Sequence, residues 1–182
     1  MAKAIGMIEY MTVSLGMTAT DTMLKTSEVE LIEAQTVCPG KYIAIISGDL
    51  SAVRAAVDSA KATCGEKLID SFVLGNPHED IFSAMYGAAE VDKPEALGIL
   101  ETFSAASIIV AADAAAKTSL VKLIELRIAR GMCGKSYMTL TGDVASVTAA
   151  IESAKNSVGK EAMFLDSSVI PRPSEKLWKT IL

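Results

Sequence analysis

Apolar and polar positions follow a regular order through the first half of the chain and predict a defined series of elements. Residues 3–10, 29–37, 41–49 and 68–75 are rich in β-branched and other apolar residues, which predicts strands. Residues 14–27, the stretch after Gly48 and the stretch from Pro77 to about Ala88 have helical signals, with Ser51 as the expected N-cap of the second helix. The order βαββαβα predicts a ferredoxin-like unit, a mostly antiparallel four-stranded sheet with helices on one face.

The same pattern occurs twice. The segment AIGMIEY (residues 4–10) returns as ALGILET (residues 96–102) at an offset of 92. Later matches follow at an offset of 94, as for Gly40-Lys41 with Gly134-Lys135, and then at 96, where IDSFVLGNPHEDIF aligns with LDSSVIPRPSEKLW. Ordered matches of this kind indicate an internal duplication. We therefore predict an α+β tandem duplication, with a first domain at residues 1–91 and a second at 92–182.

Composition excludes several classes of protein. The net charge is −5 and no basic run occurs, so the electrostatic footprint of a nucleic-acid-binding protein is missing. The longest uncharged stretches, such as residues 102–112, have about half the length of a membrane helix, and no signal-peptide pattern is seen, so we expect a cytosolic protein without membrane contact. No P-loop, dinucleotide fingerprint or nucleophile–base set is found, and the single histidine, His78, is expected to hydrogen-bond at a helix end. An enzyme is not expected.

The chain has three cysteines, Cys38, Cys64 and Cys133, and none are spaced as C-x-x-C. Disulfides are not expected in a reducing compartment, and one local segment cannot form a metal site. Cys64 ends an amphipathic helix and is expected to be buried. Cys38 is different, because it lies in TVCPGKY, in the turn between two predicted strands.

Several segments together resemble a known family. AIGMIEY, LKTSEVELIEAQTVCPGKYIAIISGDLSAVRAAVDSAK and SSVIPRP are similar to the bacterial microcompartment (BMC) shell domain, and both repeats match. The chain thus resembles the tandem-domain shell proteins, and TVCPGK resembles their propanediol-utilisation type, which carries an iron–sulfur cluster in its pore. The resemblance implies a homotrimer whose six domains form a pseudohexagonal tile of a protein shell in the cytoplasm. Other shell proteins would be its partners, with encapsulated redox enzymes as further candidates.

The resemblance also implies roles for individual residues. The pore would be lined by the loop between the second and third strands of each repeat, which comprises Cys38, Pro39, Gly40 and Lys41 in the first and Met132, Cys133, Gly134 and Lys135 in the second. Contacts at the tile edge would involve Lys25, Lys117 and Arg172, whereas Asn76 stands where the first repeat would have the arginine. Lys41 and Lys135 would either form a positive rim around the pore or be ordinary solvated lysines.

Threefold symmetry changes the meaning of Cys38. A closed ring brings identical loops to one axis, so one cysteine per chain becomes three thiolates that face each other. Thiolates hold iron–sulfur clusters, so we expect one [4Fe–4S] cluster per trimer. Met132 replaces the cysteine in the second repeat and Cys133 is displaced by one position, which leaves three ligands rather than six. Electron transfer across the shell is the leading function, with sensing or cluster storage open. The alternative is a metal-free metabolite pore that Cys38 merely shapes.

Overall fold

The computed structural model describes residues 4–158 and 163–182. The first repeat comprises β1 (Ala4–Tyr10), α1 (Val13–Thr26), β2 (Glu30–Val37), β3 (Lys41–Gly48), α2 (Leu50–Cys64), a 3-10 turn (Gly65–Lys67), β4 (Leu68–Leu74) and α3 (Asp80–Met85). The second comprises β5 (Ala96–Thr102), α4 (Ala105–Thr118), β6 (Lys122–Arg127), β7 (Ser136–Gly142), α5 (Val144–Val158), β8 (Phe164–Ile170) and α6 (Glu175–Ile181). The βαββαβα order is therefore present twice.

Each repeat forms its own antiparallel sheet of four strands. The strand orders are β2-β3-β1-β4 and β6-β7-β5-β8, so each first strand lies between its repeat's third and fourth strands. The sheets also share irregularities, because the pairing of β1 with β4 shifts between Glu9 and Tyr10, and that of β5 with β8 shifts between Glu101 and Thr102. The predicted α+β tandem duplication is thus confirmed. The two sheets also share the position of this bulge.

The core of the first repeat lies between its sheet and the helices α1 and α2. Ile8, Tyr10 and Ile46 of the strands pack with Met23 of α1 and Val53 of α2. The period of two in a strand places alternate residues on this face. Tyr10 is fully buried, and its hydroxyl donates to a main-chain carbonyl of α2 at 3.1 Å.

Glycine permits close helix–sheet approach at one point of this core. A Cβ added to Gly16 on α1 would lie 2.5 Å from the Cβ of Tyr42 on β3. Cys64 ends α2 and is 5% exposed, which confirms that it is a buried residue.

The second repeat places helices on both faces of its sheet. Gly98 on β5 faces α5, since an added Cβ would contact Val147 and Ile151. Leu97, the preceding residue, therefore lies on the opposite face, where it belongs to a cluster with Trp178 of α6. Trp178 therefore anchors the terminal helix to the sheet. The helices α1, α2 and α5 follow the predicted one-face arrangement, and α6 departs from it.

Two local expectations differ from the structure. Ser51 was expected as the N-cap of α2, but the helix begins at Leu50 and its N-cap is Asp49. In the second repeat the same position is Asp143, whose carboxylate accepts from the amides of Ala145 and Ser146 at 2.9 and 3.0 Å. The Ser146 hydroxyl also donates to this carboxylate and has the largest effect. Together these hydrogen bonds lower the pKa of Asp143. The aspartate of each Gly-Asp pair thus begins the following helix.

The second difference concerns α3, which spans Asp80–Met85 rather than 77–88.

The chain also divides into two compact units by contact density. The first comprises 1–77 with 104–107 and 129–134, and the second comprises 78–103, 108–128 and 135–182. The predicted boundary at 91/92 remains a prediction. Among the helices in the described residues, none has the length and apolar character needed to span a membrane.

Candidate cysteine-loop site

The Cys38 loop (residues 37–41) is a tight turn between β2 and β3. The Gly40 amide donates to the Val37 carbonyl at 2.9 Å, and the Cys38–Pro39 peptide is cis. Gly40 has φ +106°, a conformation that L residues rarely adopt. Cys38 itself is half-buried and its thiol is free of any disulfide. The turn therefore fixes the backbone on both sides of an accessible thiol.

The loop facing it within the first compact unit comes from residues 129–134. The Cys38 amide donates to the Ala129 carbonyl at 3.1 Å. This second loop has positive φ at Ala129, Gly131, Cys133 and Gly134. It is the place where the repeat offset changes from 92 to 94, so the second repeat has a longer loop than the first. Cys133 is exposed and Met132 is half-buried.

An open concavity of about 550 Å³ borders the Cys38 loop and is lined by residues 36–40 together with Arg130 and Gly131. The Arg130 guanidinium forms an ion pair with Glu33 on β2, at 2.5 Å between Nη2 and Oε1. Sequence reasoning missed Arg130, although a cation inside the inserted loop was a visible signal. Arg130 and Cys38 thus line the same concavity, and the charge of Arg130 is paired with that of Glu33.

Lys41 has partners within the chain, and the positive rim expected for Lys41 and Lys135 remains a prediction. The Lys41 ammonium lies 2.8 Å from Oε1 of Glu9, which is fully buried, and donates to the Gly134 carbonyl at 3.2 Å. Lys135, the equivalent lysine, is 3.9 Å from Glu101 and 42% exposed. Of these two lysines, Lys135 has the more accessible charge.

The predicted edge residues, Lys25, Lys117 and Arg172, lie apart from the cysteine loops in the sequence. Their role in edge contacts remains a prediction. Lys25 and Lys117 each pair with an aspartate four residues earlier, Asp21 at 2.6 Å and Asp113 at 2.7 Å. Their side chains are 75% and 43% exposed. Arg172 is exposed in the segment between β8 and α6.

His78 has the predicted helix-end role. Its Nδ1 accepts from the Asp80 amide at 3.3 Å at the start of α3, and its own amide donates to Asp113 at 2.8 Å. Within residues 4–158 and 163–182 of one chain, no three His, Cys, Asp or Glu side chains are grouped so that they could hold a metal ion.

The BMC domain family matches the chain at residues 4–77 and again at 96–173, the two sheets with their helices. The chain belongs to the BMC domain family. It is 41% identical over 182 residues to the bacterial microcompartment shell protein PduT of Citrobacter freundii, covering 100% of this chain and 99% of that one. It is also 33% identical over 82 residues to the carboxysome shell protein CcmK2 of Synechococcus elongatus, covering 43% of this chain and 80% of that one.

A solved structure supports the same conclusion. A microcompartment protein from Desulfitobacterium hafniense is 44% identical and superposes with a TM-score of 0.85, covering 98% of this chain and 99% of that one. The BMC tandem protein is therefore a structural shell protein of the PduT type rather than an enzyme, and it belongs to a microcompartment shell in the cytoplasm.

Proposed function

We propose that this protein forms a trimeric shell tile that holds one [4Fe–4S] cluster on its threefold axis, bound by Cys38 of each chain. The observation that carries the proposal is the Cys38 loop itself: a half-buried free thiol in a fixed turn, open to a concavity that Arg130 also lines. Other shell proteins are the partners of the tile, and Lys25, Lys117 and Arg172 contribute edge contacts to them.

The donor set fits such a cluster. Cysteine thiolates are the usual ligands of iron–sulfur clusters. Each chain supplies Cys38 as the ligand, since Cys64 is buried in the core. The equivalent of Cys38 in the second loop is Met132, and the exposed Cys133 is displaced from it by one position. Three chains in a ring supply three thiolates.

The loop residues then have distinct tasks. The Gly40–Val37 and Cys38–Ala129 main-chain hydrogen bonds orient the thiol. Arg130, held by Glu33, forms part of the wall of the concavity, and the ion pair of Lys41 with Glu9 fixes the first residue of β3. When bound, the cluster supplies one-electron chemistry, which suits electron transfer between the shell interior and the cytosol.

The test is the iron and acid-labile sulfide content of protein purified without oxygen. We expect four of each per trimer, and we expect Cys38→Ser to lose both. Cys133→Ser is the matched control, because it changes the neighbouring loop's exposed cysteine and should retain the cluster. Iron-free protein after anaerobic reconstitution, or full iron content in Cys38→Ser, would overturn the proposal and leave a metal-free metabolite pore.

Electron transfer has its own test. Repeated reduction and reoxidation of the anaerobic trimer, followed by electron paramagnetic resonance, should show a signal that is gained and lost without loss of iron. Release of iron on the first reduction would contradict electron transfer and favour cluster storage.

A further inference from the structure

Two of the three cysteines have accessible thiols, and they lie on neighbouring loops. Cys38 is half-buried and Cys133 is exposed, whereas Cys64 is 5% exposed in the core. The proposed function uses Cys38 as a ligand and leaves Cys133 without a task. An accessible thiol beside a second one is the usual arrangement of a redox-reactive cysteine and its resolving partner. The contacts between the two loops therefore decide whether the two thiols can react with each other.

Hydrogen bonds join the two loops on both sides of Cys133, all within the first compact unit. Before Cys133, the Ala129 carbonyl accepts from the Cys38 amide at 3.1 Å. After Cys133, the Gly134 carbonyl accepts from the Lys41 ammonium at 3.2 Å. The loop that carries Cys133 is thus attached to the Cys38 loop at two points.

The residues that follow the two cysteines pack directly on each other. Gly134 follows Cys133, and Pro39 follows Cys38. A Cβ added to Gly134 would lie 3.1 Å from Cδ of Pro39, so the missing side chain permits this close approach. Each cysteine is therefore the chain neighbour of a residue in the contact between the loops.

The loop around Cys133 has the freedom that a disulfide needs. A disulfide requires Cα atoms about 4.4–6.8 Å apart, so both loops must be able to adjust. Gly131 and Gly134 lie on either side of Cys133 and have φ of +68° and +86°. A Cβ added to Gly131 would have nothing within 4 Å. Glycine moves between backbone conformations at low cost, so this loop can change shape while β7 keeps its pairing.

The repeat alignment places Cys133 beside the ligand position rather than at it. At an offset of 94, Met132 matches Cys38 and Cys133 matches Pro39. Cys133 also has φ +51°, which is uncommon for a residue other than glycine, and its side chain is exposed. A thiol in this position does not compete for iron, and it reaches Cys38 only when Cys38 holds no cluster.

We propose that Cys133 is a resolving cysteine, which forms a disulfide with Cys38 of the same chain when Cys38 without a cluster reacts with a peroxide. The disulfide protects the ligand thiol from irreversible oxidation. In the cytoplasm the bond is transient, because small thiols reduce it and return Cys38 to its ligand form. The ligand role of Cys38 rests on the proposed function, whereas the disulfide requires only the two loops.

The reaction consumes one hydrogen peroxide in two steps. The Cys38 thiolate attacks one peroxide oxygen, the O–O bond breaks, and the products are a sulfenic acid and hydroxide, which takes the proton lost by the thiol. The Cys133 sulfur then attacks the sulfenic sulfur. The S–S bond forms, the S–O bond breaks, and the leaving hydroxide takes the Cys133 proton. Two thiols lose two electrons, and the peroxide gains them and becomes two waters.

The first test is hydrogen peroxide treatment of the full chain, prepared reduced and free of iron, followed by intact-mass measurement and peptide mapping. The wild-type chain should lose the mass of two hydrogens and give one pair of peptides linked through Cys38 and Cys133. A small dithiol should restore both thiols. Cys64→Ala is the matched control, since it removes the buried cysteine and should form the same link. A link between chains, a link to Cys64, or no link would overturn the proposal.

The second test concerns protection of Cys38 and needs no iron. After peroxide and then dithiol, Cys38 of the wild-type chain should be a free thiol. In Cys133→Ser the sulfenic acid has no resolving partner, so Cys38 should carry the two added oxygens of a sulfinic acid, with about tenfold less thiol recovered. Equal recovery of the Cys38 thiol in both proteins would contradict a protective role.

Iron uptake after the same treatment separates this inference from the proposed function. Wild-type protein that is given iron and sulfide without oxygen should regain its cluster, and peroxide-treated Cys133→Ser should not. A cluster in untreated wild-type protein together with no Cys38–Cys133 link would overturn the disulfide and leave the cluster. A Cys38–Cys133 link in a protein that never binds iron would support the disulfide and overturn the cluster.

Discussion

Glu9→Ala is predicted to destabilise the first repeat strongly. The carboxylate is fully buried and accepts from the Lys41 ammonium at 2.8 Å and from the amides of Ala105 and Ala106. Removal of one partner from a buried ion pair leaves the other charge without compensation. The same change deprives two amides of a charged acceptor.

The expected loss in the free energy of unfolding is about 3–5 kcal/mol, the range for breaking a buried ion pair. The Lys41 side chain is 14% exposed, so water compensates part of its charge and favours the lower end of that range. Glu9→Gln retains an oxygen acceptor without the charge and should cost about 2 kcal/mol.

The assay is denaturant unfolding of both variants against Glu152→Ala. Glu152 also pairs with a lysine, Lys155 at 2.9 Å, but its side chain is 60% exposed, so its removal should cost at most about 1 kcal/mol. Equal destabilisation by Glu9→Ala and Glu152→Ala would refute the reasoning that burial decides the effect.

Three further predictions concern packing, alkaline pH and assembly. Gly16→Ala should destabilise the chain by about 1–3 kcal/mol in thermal unfolding because the added Cβ overlaps a strand residue, whereas Gly65→Ala, with nothing within 4 Å, should be neutral or slightly stabilising. Burial raises the pKa of Tyr10 from 10 to about 12, so its contribution to stability is present below pH 10 and is lost as the pH rises through 12. Tyr10→Phe should therefore reduce the fall in the free energy of unfolding over this pH range. An unchanged fall would contradict the prediction. Lys25→Glu with Lys117→Glu should prevent extended sheets of tiles in electron micrographs while trimers persist, and intact sheets would count against the edge role.

The sequence predicted the elements and the duplication because these depend on local pattern. Alternation in the strands and the repeated AIGMIEY and ALGILET segments were enough to predict a four-stranded sheet in each repeat. The helix start at Asp49 was misplaced at Ser51, since both residue types are good N-caps and only the backbone distinguishes them. The position of α6 was missed because an amphipathic helix can cover either face of a sheet.

The candidate site was predicted in part. The turn at Cys38 follows from Pro39 and Gly40, which are strong local signals. The pairing of Lys41 with Glu9 could not be read from the sequence, because it joins residues 32 positions apart and depends on strand register. The cation at Arg130 was visible in the sequence, but its ion pair with Glu33 was not, since it joins residues 97 positions apart.

The central claim is that Cys38 acts as a ligand only when three chains come together. Native mass spectrometry of the protein prepared without oxygen tests it most directly. The account predicts a trimer that carries the mass of a single cluster with four irons and four sulfides, and a Cys38→Ser trimer without that mass. A wild-type trimer with no added mass, or iron bound to the separate chains, would contradict it.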